Sequence, residues 1–145
     1  AAVADYVDVE VESDSTYRKD IIDAARSGNC RVIISFHDYK KTPTLERLRQ
    51  IVDLCFSEGA DIAKVACRIL SERDNARLLG LLDEEGFDRK LIVVGMGEAG
   101  KITRMAAPFL GSPFTYASLV EGKETARGQI RKDRLENIMR SIRGA

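Results

Sequence analysis

The chain has 145 residues, 44% of them hydrophobic and 32% charged, which is the balance of a single globular domain covering residues 1–145. Its 23 basic and 23 acidic residues cancel, which argues against nucleic-acid binding and against attachment to an anionic membrane. No apolar run reaches the roughly 18 residues of a membrane span and no secretory signal pattern is visible, so we expect a cytoplasmic protein.

Strands and helices are predicted to alternate along the chain. Apolar or β-prone runs predict strands at 6–11, 32–36, 61–66, 91–94 and 114–119. Stretches with apolar residues on one face predict helices from 17 to about 28, from 43 to about 59, and at 71–86, 101–110 and 133–143. Pro43 suits a first helical position, and Ser71 with Asp74 forms a capping-box pattern.

The spacing of these elements predicts the fold class. Strands recur roughly every 25 to 30 residues and are nearly continuous in apolar residues, which is typical of parallel strands covered by crossover helices. The sequence therefore predicts an α/β fold. An open doubly wound sheet and a closed barrel both satisfy this pattern.

The three cysteines, Cys30, Cys55 and Cys67, are odd in number, widely spaced and accompanied by a single histidine. This pattern lacks both the clustered ligands of a metal site and the pairs of a disulfide framework. We predict structural thiols in a reducing compartment and no metal site.

The segment 95–100 reads Gly-Met-Gly-Glu-Ala-Gly, a GxGxxG pattern between a predicted strand and a predicted helix. Together with Glu121, about 20 residues later, it imitates the fingerprint of a dinucleotide-binding unit. However, it lies in the fourth unit of the series, and Lys101 and Arg104 suit a small anion better. A nucleotide-binding oxidoreductase module and a glycine-rich turn without a ligand both stay open.

Lys64 interrupts the apolar strand at 61–66. Burying an ammonium group costs several kcal/mol, in order of magnitude, unless the group is paired or gives up its proton. A buried free amine is the nucleophile that imine chemistry requires. The alternative is a lysine at a strand end that is paired with Asp61 or Glu10 or reaches solvent.

His37, the only histidine, closes the apolar run 32–36 at the strand end where α/β proteins place their ligands. With Lys64 on a neighbouring strand it would form an acid–base pair; alternatively it is a structural residue. Asp8 and Glu10 share one face of the first strand. They could orient Lys64 or His37, or they could lie solvated at a sheet edge.

Several linked motifs resemble the type I 3-dehydroquinate dehydratases. They are Val-Ile-Ile-Ser-Phe-His-Asp-Tyr at 32–39 with Thr-Pro at 42–43, Ala-Asp-Ile-Ala-Lys-Val-Ala at 60–66, and the stretches 96–104, 110–116 and 125–130. The resemblance implies a (β/α)₈ barrel of the TIM type and a lyase of the shikimate pathway of aromatic amino acid biosynthesis. Such an enzyme dehydrates 3-dehydroquinate to 3-dehydroshikimate through a Schiff base and without a cofactor.

The resemblance also implies residue roles. Lys64 is the imine-forming nucleophile, and His37 transfers protons. The substrate-binding residues are Arg104 for the carboxylate, Met96 near the ring, Tyr116 lining the ring pocket, and Thr125 and Gln129 on a loop that contacts hydroxyl groups. In that loop, Thr125 replaces the usual serine and Arg127 the usual proline, which puts loop closure in doubt.

The barrel of this family has three more strands before the first strand predicted here, and they carry a glutamate and two arginines around the substrate. The sequence thus predicts about five of eight strand-helix units, the C-terminal part of a barrel. We expect either a fragment of a longer enzyme or a chain that completes its sheet with another, for example as a homo-oligomer associating through open edges. An inactive barrel fragment is the further alternative.

Overall fold

The computed structural model describes residues 4–119 and 128–144 as alternating strands and helices. The strands are β1 (Tyr6–Glu10), β2 (Arg31–Asp38), β3 (Ile62–Arg68) and β4 (Leu91–Met96). The α-helices are α1 (Ser15–Ser27), α2 (Leu45–Ser57), α3 (Glu72–Gly80), α4 (Lys101–Ala106) and α5 (Lys132–Arg143). Short 3-10 helices cover Leu81–Asp83, Glu98–Gly100 and Ala107–Phe109. Within these ranges no helix combines the length and the apolar character needed to cross a membrane.

The four strands form one parallel sheet in the order β1-β2-β3-β4. Helices α1, α2 and α3 all contribute to one core on the outer face of this sheet. Strand side chains Val32, Ile34, Val65 and Val93 and helix side chains Ala25, Leu48, Val52 and Leu78 belong to it. A doubly wound sheet would carry helices on both faces, whereas helices on one face form the wall of a barrel. The predicted α/β class and barrel-type architecture are confirmed, with an incomplete barrel in the described residues.

The inner face of the sheet carries the side chains that alternate with this core. A smaller apolar cluster lies there, made of Ile33, Ile62, Ala66, Ile92, Val94 and Met96 and covered by Phe114 and Tyr116. The ring of Phe114, which follows β4 in the chain, lies 5.5 Å from the ring of Tyr6 on β1. The segment after α4 therefore reaches across the inner face to the first strand.

The strand predicted at 114–119 is not part of the sheet. The segment makes one isolated parallel bridge, Ser118 with Arg131, in which Ser118 N donates to Ile130 O at 3.0 Å and Lys132 N to Ser118 O at 2.9 Å. Its aromatic side chains cover the inner cluster instead. The strand prediction was wrong because apolar alternation reports a buried face and not the pairing partner.

Three predicted helix boundaries also shift. Pro43 lies before α2, where Thr44 is the N-cap and its hydroxyl accepts from Arg47 N at 3.3 Å. The capping box of Ser71 and Asp74 is confirmed, but α3 ends at Gly80 and a 3-10 turn follows. Helix α4 ends at Ala106 because Pro108 cannot donate within a helix.

Candidate active site

Lys64 lies on the inner face of β3 and makes an ion pair across β2 with a carboxylate of β1. Its Nζ donates to Asp8 Oδ2 at 2.8 Å, and the hydroxyl of Ser35 donates to Asp8 Oδ1 at 2.6 Å. Ser35 is the register partner of Lys64 on the intervening strand and is fully buried. Both Asp8 oxygens are thus engaged, and the carboxylate fixes the amine over the centre of the inner face.

The alternative prediction, that Lys64 pairs with Asp61 or Glu10, was wrong. Asp61 lies at the opposite end of β3, where it pairs with Arg26 at 2.9 Å and accepts from Val32 N at 2.7 Å. These contacts hold the start of the sheet to α1, since Arg26 belongs to that helix. Asp8, one of the two acidic residues expected to orient Lys64 or His37 or to lie solvated at a sheet edge, is the residue that pairs with the lysine.

His37 lies two residues beyond Ser35 on the same face of β2. Glu10 Oε1 is 3.1 Å from its Nδ1, which is ion-pair distance without hydrogen-bond geometry. Burial lowers the pKa of His37, and the positive charge of Lys64 lowers it further. The imidazole is therefore neutral near pH 7 and able to accept a proton.

The turn after His37 folds an aromatic ring back onto the imidazole. Asp38 Oδ1 accepts from the backbone amides of Lys40 at 2.9 Å and Lys41 at 3.0 Å, which bends the chain at the end of β2. The ring of Tyr39 then stacks on His37 with centroids 5.8 Å apart and planes 9° apart. The histidine is held between this ring and Glu10.

Arg104, on α4, has a side chain that is only 1% exposed. Its Nη1 donates to Tyr116 O at 3.4 Å, while Nε and Nη2 are buried without a hydrogen-bond partner in the described part of the chain. Burial lowers the pKa of Arg104, yet a guanidinium stays charged at neutral pH. A buried guanidinium with free donors is suited to a carboxylate, which accepts two parallel hydrogen bonds.

Tyr116 borders the lysine, and Met96 belongs to the same inner cluster as Tyr116. The Lys64 ammonium lies 4.9 Å from the centre of the Tyr116 ring, within cation–π range. Burial, together with the charge of Asp8, raises the pKa of Tyr116 to about 12, so the phenol stays neutral. Met96 ends β4 in the same inner cluster. The structure thus brings Tyr116 to the lysine, whereas Met96 lies further along the inner face, in register with Arg68.

The remaining two predicted residues, Thr125 and Gln129, lie in the sequence between the bridged residues Ser118 and Arg131. Gln129 lines a cavity of about 730 Å³ together with Arg68, Gly97 and Lys101. Thr125 lies outside the described residues. Of these two polar residues, only Gln129 can therefore be located, and it borders the cavity at the end of β3 and β4.

The glycines of the GxGxxG pattern are explained by close backbone packing. A Cβ at Gly100 would lie 2.3 Å from the carbonyl of Gly95, and Gly97 has φ +90°. The amide of Gly95, which a phosphate would need, already donates to Thr103 Oγ1 at 2.7 Å. The pattern forms a tight strand-to-helix turn, and this geometry favours the glycine-rich turn over a dinucleotide site.

The cysteines belong to the framework and not to the site. All three are free thiols, and Cys55 and Cys67 are buried in the outer core. Burial raises the pKa of both thiols to about 12, which keeps them protonated and unreactive.

Three residues near the site had no assigned role from sequence: Ser35, Tyr39 and Arg68. Ser35 could have been noticed as a polar residue on a strand otherwise apolar, in phase with His37. The contact of Tyr39 with His37 depends on the geometry of the turn after β2. The position of Arg68 at the end of β3 was missed because the strand was predicted to end at residue 66, two residues earlier.

Comparison with known proteins identifies one family. The profile of the family described as Type I 3-dehydroquinase matches residues 1–145. The 3-dehydroquinate dehydratase of Methanosarcina mazei is 39% identical over 140 residues, which cover 96% of this chain and 58% of that protein. That of Methanothermobacter thermautotrophicus is 42% identical over 133 residues, covering 92% and 56%. The chain spans less than two thirds of the length of these relatives.

Solved structures agree with the sequence relatives. The type I 3-dehydroquinate dehydratase of Clostridium difficile, crystallised with covalent modified comenic acid, has a TM-score of 0.84 at 27% identity and covers 97% of this chain and 56% of its own. The 3-dehydroquinate dehydratase of Aquifex aeolicus has a TM-score of 0.82 at 30% identity, covering 99% and 62%. Fold and site define a parallel α/β protein of the barrel type with an amine and an imidazole on its inner face. The chain belongs to the type I 3-dehydroquinase family.

Proposed function

We propose that this chain supplies the imine-forming and proton-transferring residues of a 3-dehydroquinate dehydratase, a hydro-lyase. The observation that carries the proposal is the Lys64 amine, fixed at 2.8 Å by Asp8 on the inner face of the sheet. The neutral imidazole of His37 on the neighbouring strand supports it. Membership of the family supplies the identity of the substrate.

The first step forms the imine. The Lys64 ammonium gives up a proton, for which neutral His37 is a nearby acceptor, and the amine adds to the ketone carbon of 3-dehydroquinate. The carbinolamine then loses its oxygen as water, leaving a C=N bond to Nζ. The carboxylate of Asp8 favours the cationic iminium because it faces the same nitrogen.

The second step removes water. His37 takes a proton from the carbon beside the iminium, and the electron pair left behind forms an enamine. Those electrons then expel the hydroxyl group from the next carbon, which leaves as water with a proton returned by His37. Hydrolysis of the conjugated iminium releases 3-dehydroshikimate and restores the Lys64 amine. The iminium is essential because imidazole is too weak a base for an unactivated carbon acid.

Substrate binding is assigned to the residues around this pair. Arg104 binds the carboxylate with its two unpartnered nitrogens, Tyr116 and Met96 line the ring, and Gln129 with Thr125 contacts ring hydroxyls. The support for Arg104 is that Nε and Nη2 are buried without a partner. Buried donors that make no hydrogen bond cost free energy, and a bound carboxylate would remove this cost.

Three further expectations accompany this function. We propose a cytoplasmic location, supported by the buried free thiols Cys55 and Cys67. Homo-oligomeric association through the sheet edges and a single domain over 1–145 are further proposals; the first is supported by the position of β1 at the edge of the sheet that the described residues form.

Activity is tested by incubating the chain with 3-dehydroquinate and following the absorbance of the conjugated product. We expect turnover by the unmodified chain, loss to background for Lys64→Ala, and unchanged turnover for Lys90→Ala. Lys90 is an exposed lysine just before β4, at the opposite end of the strands. Absence of turnover in the unmodified chain, or turnover retained by Lys64→Ala, would contradict the proposal.

A further inference from the structure

Arg68 ends β3 and shares the inner face with Lys64. Arg68 is four positions beyond Lys64, so strand alternation puts both side chains on the same side with their backbones about 13 Å apart. Its register partner on β4 is Met96, which belongs to the inner cluster. Arg68 therefore lies at the mouth of the inner face, beyond the lysine.

The guanidinium of Arg68 turns across the end of β4. A Cβ placed on Gly97 would lie 3.0 Å from its Nη1 and 3.2 Å from its Cζ, so the side chain rests against this glycine. The residue is half-buried and lines the 730 Å³ cavity that Gln129 also borders. Gly97 thus provides the space in which an arginine can face the cavity.

Arg68 brings an uncompensated positive charge to this cavity. In residues 4–119 and 128–144 its guanidinium has no hydrogen bond or ion pair, whereas Lys101, in the same lining, is paired with Glu98 at 2.6 Å. A guanidinium carries five N–H donors in a planar fork that matches a carboxylate. A small anion in the cavity would therefore be attracted to Arg68 and not to Lys101.

We propose that Arg68 is a second substrate-binding cation, which attracts the anionic ring acid into the cavity and holds it at the entrance. The proposal rests on the proposed function for the identity of that acid. Arg104 is buried and binds the carboxylate inside the site, whereas Arg68 is half exposed and acts from the solvent side. Its attraction is therefore expected to weaken as salt is added, because the Debye length falls from about 30 Å at 0.01 M to about 8 Å at 0.15 M.

The test is calorimetric binding of quinate, the same ring acid with a hydroxyl group in place of the ketone, at 0.01 M and 0.3 M salt. We expect Arg68→Gln to raise Kd about three- to tenfold at low salt and Arg68→Glu to raise it more, with both effects shrinking at high salt. Arg89→Gln and Arg89→Glu are the matched controls, since Arg89 is exposed at the opposite end of β4. They should leave Kd within a factor of two.

Three results would overturn the role of Arg68: no binding of quinate, an unchanged Kd in Arg68→Gln, or a loss that is equal at both salt concentrations. Quinate has no ketone, so the measurement does not depend on the imine. A failure of Lys64 to form an adduct would refute the proposed function without deciding the role of Arg68. Circular dichroism of each variant confirms that the fold is retained.

Discussion

Lys64 and Asp8 meet across an intervening strand. The ammonium on β3 donates to the carboxylate on β1 at 2.8 Å, although adjacent strands are about 4.8 Å apart and β2 lies between them. Ser35 on β2 makes this possible because its side chain is small and donates to the other Asp8 oxygen. The strand register and one small residue therefore determine the geometry of the candidate nucleophile.

This arrangement predicts that Asp8→Asn and Ser35→Val slow imine formation at saturating substrate. Removing a charge-assisted hydrogen bond is worth about 1.5–3 kcal/mol, or roughly ten- to a hundredfold in rate. Ser35→Ala, which keeps the space, should have a smaller effect than Ser35→Val. The rate constant for adduct formation measures this; Asp53→Asn, an exposed carboxylate of α2, serves as control. Equal rates for Asp8→Asn and the unmodified chain would show that Asp8 does not position the lysine.

Arg104 should show opposite effects on stability and binding. Its two unpartnered buried nitrogens each carry a desolvation cost, so Arg104→Met should raise the free energy of unfolding by about 1–3 kcal/mol in the absence of ligand. The same variant should bind the carboxylate at least about tenfold more weakly. Urea denaturation and calorimetry measure the two quantities. Arg140→Met, exposed on α5, should change neither, and a destabilised Arg104→Met would argue against an empty anion site.

The pKa of His37 predicts a pH dependence of stability. Its pKa in the folded chain lies below the ordinary value of 6.5, so the unfolded chain binds the proton first as the pH falls. The contribution of neutral His37 is thus complete above pH 6.5 and is lost as the pH falls toward the folded-state pKa. Unfolding free energies should decline more steeply below pH 6.5 in the unmodified chain than in His37→Gln. Parallel curves would mean that burial does not perturb the imidazole.

The glycine-rich turn predicts a large difference between two Gly→Ala substitutions. Gly100→Ala places a methyl group 2.3 Å from the Gly95 carbonyl, and overpacking of this kind should cost about 3 kcal/mol or more. Gly80→Ala places one in open space in a helical conformation and should stabilise the chain by about 0.5–1 kcal/mol. Thermal denaturation compares them. Similar melting temperatures for the two variants would contradict close packing as the reason for the glycines.

The sequence predicted the parts of this structure that depend on local pattern. In the described residues, four strands, five helices, the position of Lys64 within a strand and that of His37 near a strand end follow from apolar periodicity and spacing, and the barrel class follows from linked motifs. The segment 114–119 was predicted wrongly because its alternating apolar residues cover an inner face without joining the sheet. Periodicity describes burial well but does not assign hydrogen-bond partners.

The partners within the site could not be predicted for a similar reason. Asp61, Glu10 and Asp8 were all open as neighbours of the lysine, and only the register of three strands selects Asp8. Arg104 was identified by family resemblance, but its lack of partners is a tertiary property that no spacing reveals. Thr125 lies outside the described residues, so its predicted contact with substrate hydroxyls stays a prediction.

The central claim is that Lys64 forms the imine. Reduction with borohydride during incubation with 3-dehydroquinate, followed by proteolysis and mass spectrometry, tests it most directly. The account predicts a stable ring-acid adduct on the peptide that contains Lys64, and none on Lys90 or in Lys64→Ala. No adduct under saturating substrate, or an adduct on another lysine, would contradict it.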